Sequence, residues 1–184
     1  MFLNSIEFEK QLIFFGAPTL MKLKIANLYS IDMDCKEIDY WIYYYNQRFN
    51  QKDLCLCQLV RKNRKMIYIY QKQKLENLIN HEQVKNILLF YQYDCSSLDK
   101  LFQSLQAKLQ GEEFPHEIGL FLGYPLYDVI SFIEGKQHLY TGYWKVYSHL
   151  NNSQKTFLKY KKCTNEFMRR WQQGMSLEQI CQNI

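Results

Sequence analysis

The sequence predicts an α+β fold in one domain, residues 1–184, with a small antiparallel or mixed sheet of about four strands flanked by helices. Three observations lead there. Two β-prone runs, Leu54 to Arg61 and Lys65 to Gln71, are separated only by Lys62-Asn63-Arg64, and Met66-Ile67-Tyr68-Ile69-Tyr70 alternates visibly, which marks a β-hairpin. Apolar stripes at helical spacing are framed by two capping boxes, Asp34 with Glu37 and Ser176 with Gln179, which mark helix starts. The chain has 184 residues, 47% apolar and 16% aromatic. That is enough to bury one core, and too short for two independent domains without a visible linker.

In chain order, Ile6 to Phe15 reads as a short helix ended by Gly16 and Pro18. Pro18 to Lys24 reads as a loop leading into a strand at Ala26 to Ile31. Asp34 then caps a helix from Cys35 to about Phe49, whose stripe is Ile38, Trp41, Ile42 and Tyr45. After the hairpin, Leu75, Leu78, Ile79, Val84, Leu88 and Leu89 give helical packing from Lys74 to Tyr91 with a break near His81. Ser96 or Ser97 caps a helix through Leu98 and Leu109 that Gly111 stops. Pro115 and Pro125 suit the starts of two short helices, and Gly123 and Gly135 suit their ends. Thr141 to Tyr147 has strand composition. Ser153 to Gln173 is a long basic amphipathic helix burying Phe157, Tyr160, Phe167, Met168 and Trp171, followed by a short helix after Ser176.

The formal charge is +5. The cations are spread along the chain, so a solvated cationic surface explains them better than a nucleic-acid site, and the basic carboxy-terminal helix carries its charges around much of its circumference. The amino terminus lacks the basic start and apolar run of a secretory signal, and no 18-residue apolar stretch occurs; the expectation is a cytoplasmic protein without membrane contact. Six cysteines without C-x-x-C spacing read as reduced thiols, mostly buried. Cys35 with a histidine as a thiol enzyme lacks any supporting flank. His116 with Glu117, or Cys55 with Cys57, offers only two metal ligands at a time, so no metal site is assigned.

The most informative segment is Phe114 to Tyr147. From Phe114 to Gly135 no Lys, Arg, Asn or Gln occurs in a chain otherwise rich in them, and most of the Gly and Pro fall between Gly111 and Gly142. The run Phe114-Pro-His-Glu-Ile-Gly-Leu-Phe-Leu-Gly-Tyr-Pro125, continued by Asp128-Val129 and Phe132-Ile133, with Gly142-Tyr-Trp-Lys-Val-Tyr147 downstream, resembles the bacterial family known as domain of unknown function 3793. Ala17-Pro18-Thr19-Leu20, Lys24 and Ala26-Asn27-Leu28 are similar to that family's amino-terminal element, so the resemblance spans most of the chain. The chain departs from the pattern at Lys22 and Ser131, where the family has Gly, at Ile25, where it has Pro, and at Tyr127, where it has an acidic residue. The resemblance implies a bacterial protein of the anaerobic lineages with no assigned activity, and it suggests flavodoxin-type redox proteins as partners.

Read from the residues themselves, His116 and Glu117 in a first helical turn form an acid/base pair, or else Glu117 favours the helix start while His116 packs at its edge. Tyr143, Lys145 and Tyr147 share one strand face at period two, with Lys145 as an anion anchor or with its stem laid on aromatic rings. Asp128 sits where a helix dipole favours a carboxylate. Tyr124 either aims into a cleft or staples the fold. Thr19, Lys22 and Lys24 supply a hydroxyl and two cations for an anionic ligand, although neither G-x-G-x-x-G nor G-x-x-x-x-G-K is present, and no cofactor is named. Two function classes follow. One is a small-ligand protein or enzyme handling an anionic metabolite or cofactor, with His116 and Glu117 as catalytic groups and Thr19, Lys24, Tyr124, Asp128, Tyr143 and Lys145 as ligand-binding groups in one concave pocket. The other is a non-enzymatic module that docks a protein partner on a flat apolar patch, with His116 and Lys145 pointing apart.

Overall fold

The alternating segments pair as their periodicity requires. In a computed structural model, which describes residues 2–49 and 52–182 and the side chains from residue 6 onward, Ala26–Ile31 (β1), Leu54–Arg61 (β2) and Arg64–Gln71 (β3) form an antiparallel sheet in the order β1-β3-β2. Leu56 stands opposite Ile69 and Tyr29 opposite Ile67, while Cys57 and Leu28 stand opposite Tyr68. Successive side chains point to opposite faces, so the central strand feeds two cores at once; Met66, Ile67, Tyr68 and Ile69 are all buried.

The helices are Phe2–Leu20 (α1), Cys35–Phe49 (α2), Lys72–Asn80 (α3), Glu82–Phe90 (α4), Leu98–Leu109 (α5), Ile118–Phe121 (α6), Leu126–Ile133 (α7), Leu150–Gln172 (α8) and Leu177–Cys181 (α9). Buried side chains of α1, α2, α8 and α9 pack on the Ile67/Ile69 face. Those of α3 to α7 pack on the Tyr68 face. Cys35 and His116 therefore belong to opposite layers. Local signals placed the caps: Asp34 Oδ1 accepts from the Lys36 amide, Ser97 from the Lys100 amide, and Ser176 forms a complete capping box with Gln179.

Two segments differ from the sequence expectation. α1 runs through Gly16 and Pro18 instead of ending there. Pro18 lies in the last turn, and full burial of Ala17 and Leu20 outweighs the local breakers. A Cβ on Gly16 would stand 3.4 Å from Ile69, so glycine here lets the helix lie close to the sheet.

The expected strand Thr141 to Tyr147 is a separate ribbon, Tyr140–Thr141 (β4) and Lys145–Val146 (β5), with Thr141 opposite Lys145. The three-stranded sheet is therefore complete without it. The chain reverses around Gly142, where only glycine fits because a Cβ there would lie 2.2 Å from the Phe157 ring of α8. Tyr143 consequently sits in a turn and does not share a strand face with Lys145.

Smaller corrections concern the motif helices and the thiols. Ile118, not Pro115, is the first helical residue of α6, and Pro125 is the cap that precedes α7. Gly123 ends α6 at φ 70° and lies against Ile25. The cysteines are free; Cys181 is buried, Cys35 is exposed, and the other four are half-buried. Among the described residues, no helix is long and apolar enough to cross a membrane.

Gly123 and Lys22 give opposite stability predictions. Gly123→Ala places a methyl in a left-handed residue and 2.9 Å from Ile25 Cβ, at a cost of roughly 2 to 4 kcal/mol. Lys22 holds φ 57° with a side chain, and Lys22→Gly relieves it, raising stability by roughly 0.5 to 1 kcal/mol. Urea denaturation of both variants reads the two signs.

Candidate functional site

The site is assembled by one carboxylate. Asp128, in the first turn of α7 and 2% exposed, accepts hydrogen bonds from Trp144 Nε1 at 2.8 Å, the Tyr147 amide at 3.0 Å, the Ser148 amide at 3.2 Å and Ser148 Oγ at 3.4 Å. These bonds fold the ribbon back over the α6–α7 corner. Trp144 then stacks on Tyr124 with centroids 5.3 Å apart and meets Phe157 edge-on at 4.5 Å. The carboxylate predicted as a ligand-binding group is thus saturated by protein donors, and it positions the residues on either side of Trp144.

Between α6, α7, the ribbon and Leu28 of β1 lies a cleft of about 400 Å³. Its inner wall is apolar, with Ile118, Leu122, Val129 and Phe132. Gly119 lines it too; a Cβ there would come within 2.9 Å of Val129 and 3.2 Å of Tyr124, so the missing side chain lets α6, α7 and the Tyr124 ring close up.

His116 and Lys145 meet at this cleft. The imidazole lies edge-on to Phe132 with centroids 4.9 Å apart, and the Lys145 ammonium stands 4.9 Å from the same ring centroid. Both residues are exposed, so the imidazole and the ammonium share the Phe132 ring at the solvent-facing edge of the cleft.

The remaining candidates lie elsewhere. Glu117 does not line the cleft; its buried carboxylate accepts the Tyr93 hydroxyl at 2.9 Å, and burial, with the carboxylate second, raises the Tyr93 pKa. Thr19 is fully buried and donates to Asn27 Oδ1 at 2.7 Å. Lys24 and Tyr143 line a second cavity, beyond Tyr124. Tyr124 borders both cavities, and burial raises its pKa to about 12.

Lys24 is 6% exposed, and its ammonium stands 5.1 Å from the Tyr124 ring centroid with no carboxylate partner among the described residues. Burial lowers its pKa from the usual 10.5 to about 7.

Sequence reasoning missed Phe132 and Trp144 as site residues. Phe132 stands four positions after Asp128, one helical turn on, which was a usable signal. The Glu117–Tyr93 bond joins distant segments and has no local signature.

A larger depression, about 1060 Å³ at the β2–β3 turn, is lined by groups such as Glu7, Gln11, Asp32 and Arg64 and by none of the eight candidate residues. Among the described residues, no group of three or more His, Cys, Asp or Glu could hold a metal ion.

Residues 12–181 match the model of a family described as protein of unknown function, DUF3793. The chain belongs to this family. No curated protein and no solved structure matches it. The DUF3793 match includes both motif segments, the carboxy-terminal part of α1 and all of α8. Two positions within the match are conformationally or electrostatically unusual: Lys22 holds a glycine-like φ, and Ser131, fully buried in α7, has an Oγ without a hydrogen-bond partner among the described residues.

Two outcomes test this architecture. Asp128→Ala leaves the Trp144 indole and two amides without their acceptor, which costs roughly 3 kcal/mol and shifts tryptophan emission to the red in urea titrations followed by fluorescence. For Lys24, the unfolded chain holds the proton more tightly than the folded protein. Its burial therefore costs most below pH 7, and stability recovers as pH rises from about 7 towards 10.5. Lys24→Met removes a cost of roughly 3 to 5 kcal/mol at pH 6 and little at pH 10, as melting temperatures across that range will read.

Proposed function

We propose that this DUF3793 protein binds a small anionic metabolite or cofactor with an apolar body in the motif cleft. The observation that carries the reading is the convergence of His116 and Lys145, from two different segments, on the ring of Phe132 at a cleft whose inner wall is apolar. The apolar part of the ligand packs on Ile118, Val129 and Phe132, and its anionic end meets the Lys145 ammonium. His116 is placed beside that end to accept a hydrogen bond, donate one, or take up a proton. Asp128 serves as a positioning residue. A volume of about 400 Å³ suits a metabolite-sized ligand.

A protein-docking module calls for a flat apolar patch with His116 and Lys145 directed apart. Their shared ring and the concave wall favour the small-ligand reading.

The test is a thermal-shift screen of the purified chain against carboxylates, sugar phosphates, nucleotides and flavins, followed by calorimetry of any hit with His116→Ala and Lys145→Gln. A ligand at about a hundredfold its dissociation constant adds roughly 2.7 kcal/mol of stability. The expected result is a hit that each variant weakens, Lys145→Gln by about tenfold, a factor worth about 1.4 kcal/mol. A panel without hits, or hits indifferent to both variants, overturns the assignment.

A further inference from the structure

Beyond Tyr124 lies a cavity of about 460 Å³ between the carboxy-terminal half of α1, β1 and α8. Phe14, Phe15 and Leu28 supply its apolar surface. Its charged groups are Lys24 and, from α8, the exposed Lys161; among the described residues no acidic side chain lines it. The titratable groups that line the cavity with Lys24 are Tyr124, Tyr143 and Lys161, with Tyr160 close by, its hydroxyl donating to the Leu23 carbonyl. Burial holds the Tyr124, Tyr143 and Tyr160 pKa values above the usual tyrosine range, so these hydroxyls stay neutral and leave Lys24 uncompensated.

An ammonium taken out of water without an acceptor is costly. Lys24 is 6% exposed, its ammonium lies across the Tyr124 ring, and among the described residues it has no hydrogen-bond or ion-pair partner. Donors surround the space it faces. Asn27 spends its carbonyl oxygen on Thr19 Oγ1, leaving its amide nitrogen as the free hydrogen-bonding group, and Thr164 and Asn165 line the α8 side. Thr19, too deep to touch a ligand, is thus a positioning residue for Asn27.

We propose that this cavity is a second site, separate from the motif cleft, which binds a small oxyanion on the Lys24 ammonium, with Lys161 and the Asn27 amide as further partners. Carboxylates and tetrahedral oxyanions share the chemistry it recognises. An anion there favours the charged amine, so binding above neutral pH is accompanied by proton uptake, and affinity falls as pH rises through the titration of Lys24. The proposal does not depend on a ligand in the motif cleft.

The experiment is calorimetric titration of the full chain with sodium sulfate and, separately, sodium acetate, at pH 6.5 and 8.5, in buffers of different ionisation heat. Both probes keep their charge across this range, so proton uptake reports the protein. The expected result is binding of at least one anion, weaker by about tenfold or more at pH 8.5, with net proton uptake at the higher pH. Sulfate alone points to phosphate-type ligands, and acetate alone to carboxylates. Lys24→Met, confirmed as folded by circular dichroism, is expected to lose at least about tenfold in affinity, a factor of the size one charged partner supplies. The surface variant Lys161→Gln is expected to lose severalfold and guards against misfolding of the buried variant. Equal affinity at the two pH values, binding by neither anion, or binding that survives Lys24→Met but is lost in Lys145→Gln overturns the second site.

Discussion

The Asp128 carboxylate is the constraint on which the site depends. A carboxylate withdrawn from water is tolerated only when donors replace its hydration, and here all four come from residues 144–148. Among the described residues, no other part of the chain is hydrogen-bonded to it. The ribbon must therefore return to α7, and Lys145, adjacent to the Trp144 donor, is brought to the Phe132 ring one turn along the same helix. Two of the donors are main-chain amides, so the arrangement constrains the path of the chain more than the identity of residues 147 and 148. Hydrogen bonds to an ionised acceptor are stronger than neutral ones, which suits a ribbon of only two short strands that has little ladder of its own to hold it.

The composition of the motif follows from the same close packing. Residues 118–121 are buried without interruption, and Gly119 and Gly123 stand where a methyl would collide with Val129 and Ile25. A Lys, Arg, Asn or Gln at those α6 positions would bring a polar head into a space with no water and no partner. Gly142 repeats the logic on the ribbon, where Phe157 occupies the volume of a side chain. His116 and Glu117 escape the exclusion for different reasons. His116 reaches solvent over Phe132, and Glu117 has the Tyr93 hydroxyl.

What was legible in the sequence was whatever a local signal decides. The β2–β3 hairpin, the Asp34 and Ser97 caps, the break at His81 and the Ser176–Gln179 box depend on neighbours within a few residues, and each stands where its pattern put it. The end of α1 was not legible, because burial of Ala17 and Leu20 against distant strands overrules Gly16 and Pro18. The Thr141 to Tyr147 strand was misread because the contacts around its break are tertiary: Phe157 of α8 packs against Gly142, and Asp128 of α7 accepts from Trp144. The candidate site shows the same division. The motif marked the segment, and His116 and Lys145 do meet, but Phe132 as their meeting point and Tyr93 as the partner of Glu117 are tertiary facts.

Tyr124 joins the two cavities into one physical problem. Its ring faces Lys24 at 5.1 Å, Trp144 at 5.3 Å and the bare Cα of Gly119, and its amide is tied to the Gly119 carbonyl at 3.0 Å. A wall fixed at so many points does not have to be ordered by a ligand, so its share of the entropy cost of binding is met during folding. The walls are then largely common property, and what separates the two spaces is charge. On one side an exposed lysine and an imidazole sit at an apolar cleft, where a charged head can remain hydrated. On the other a lysine is buried without a counter-charge, and an anion that enters relieves a cost the folded protein already carries. Differential relief of that kind is what binding energy can draw on, and it is concentrated at Lys24, because Lys145 is already solvated.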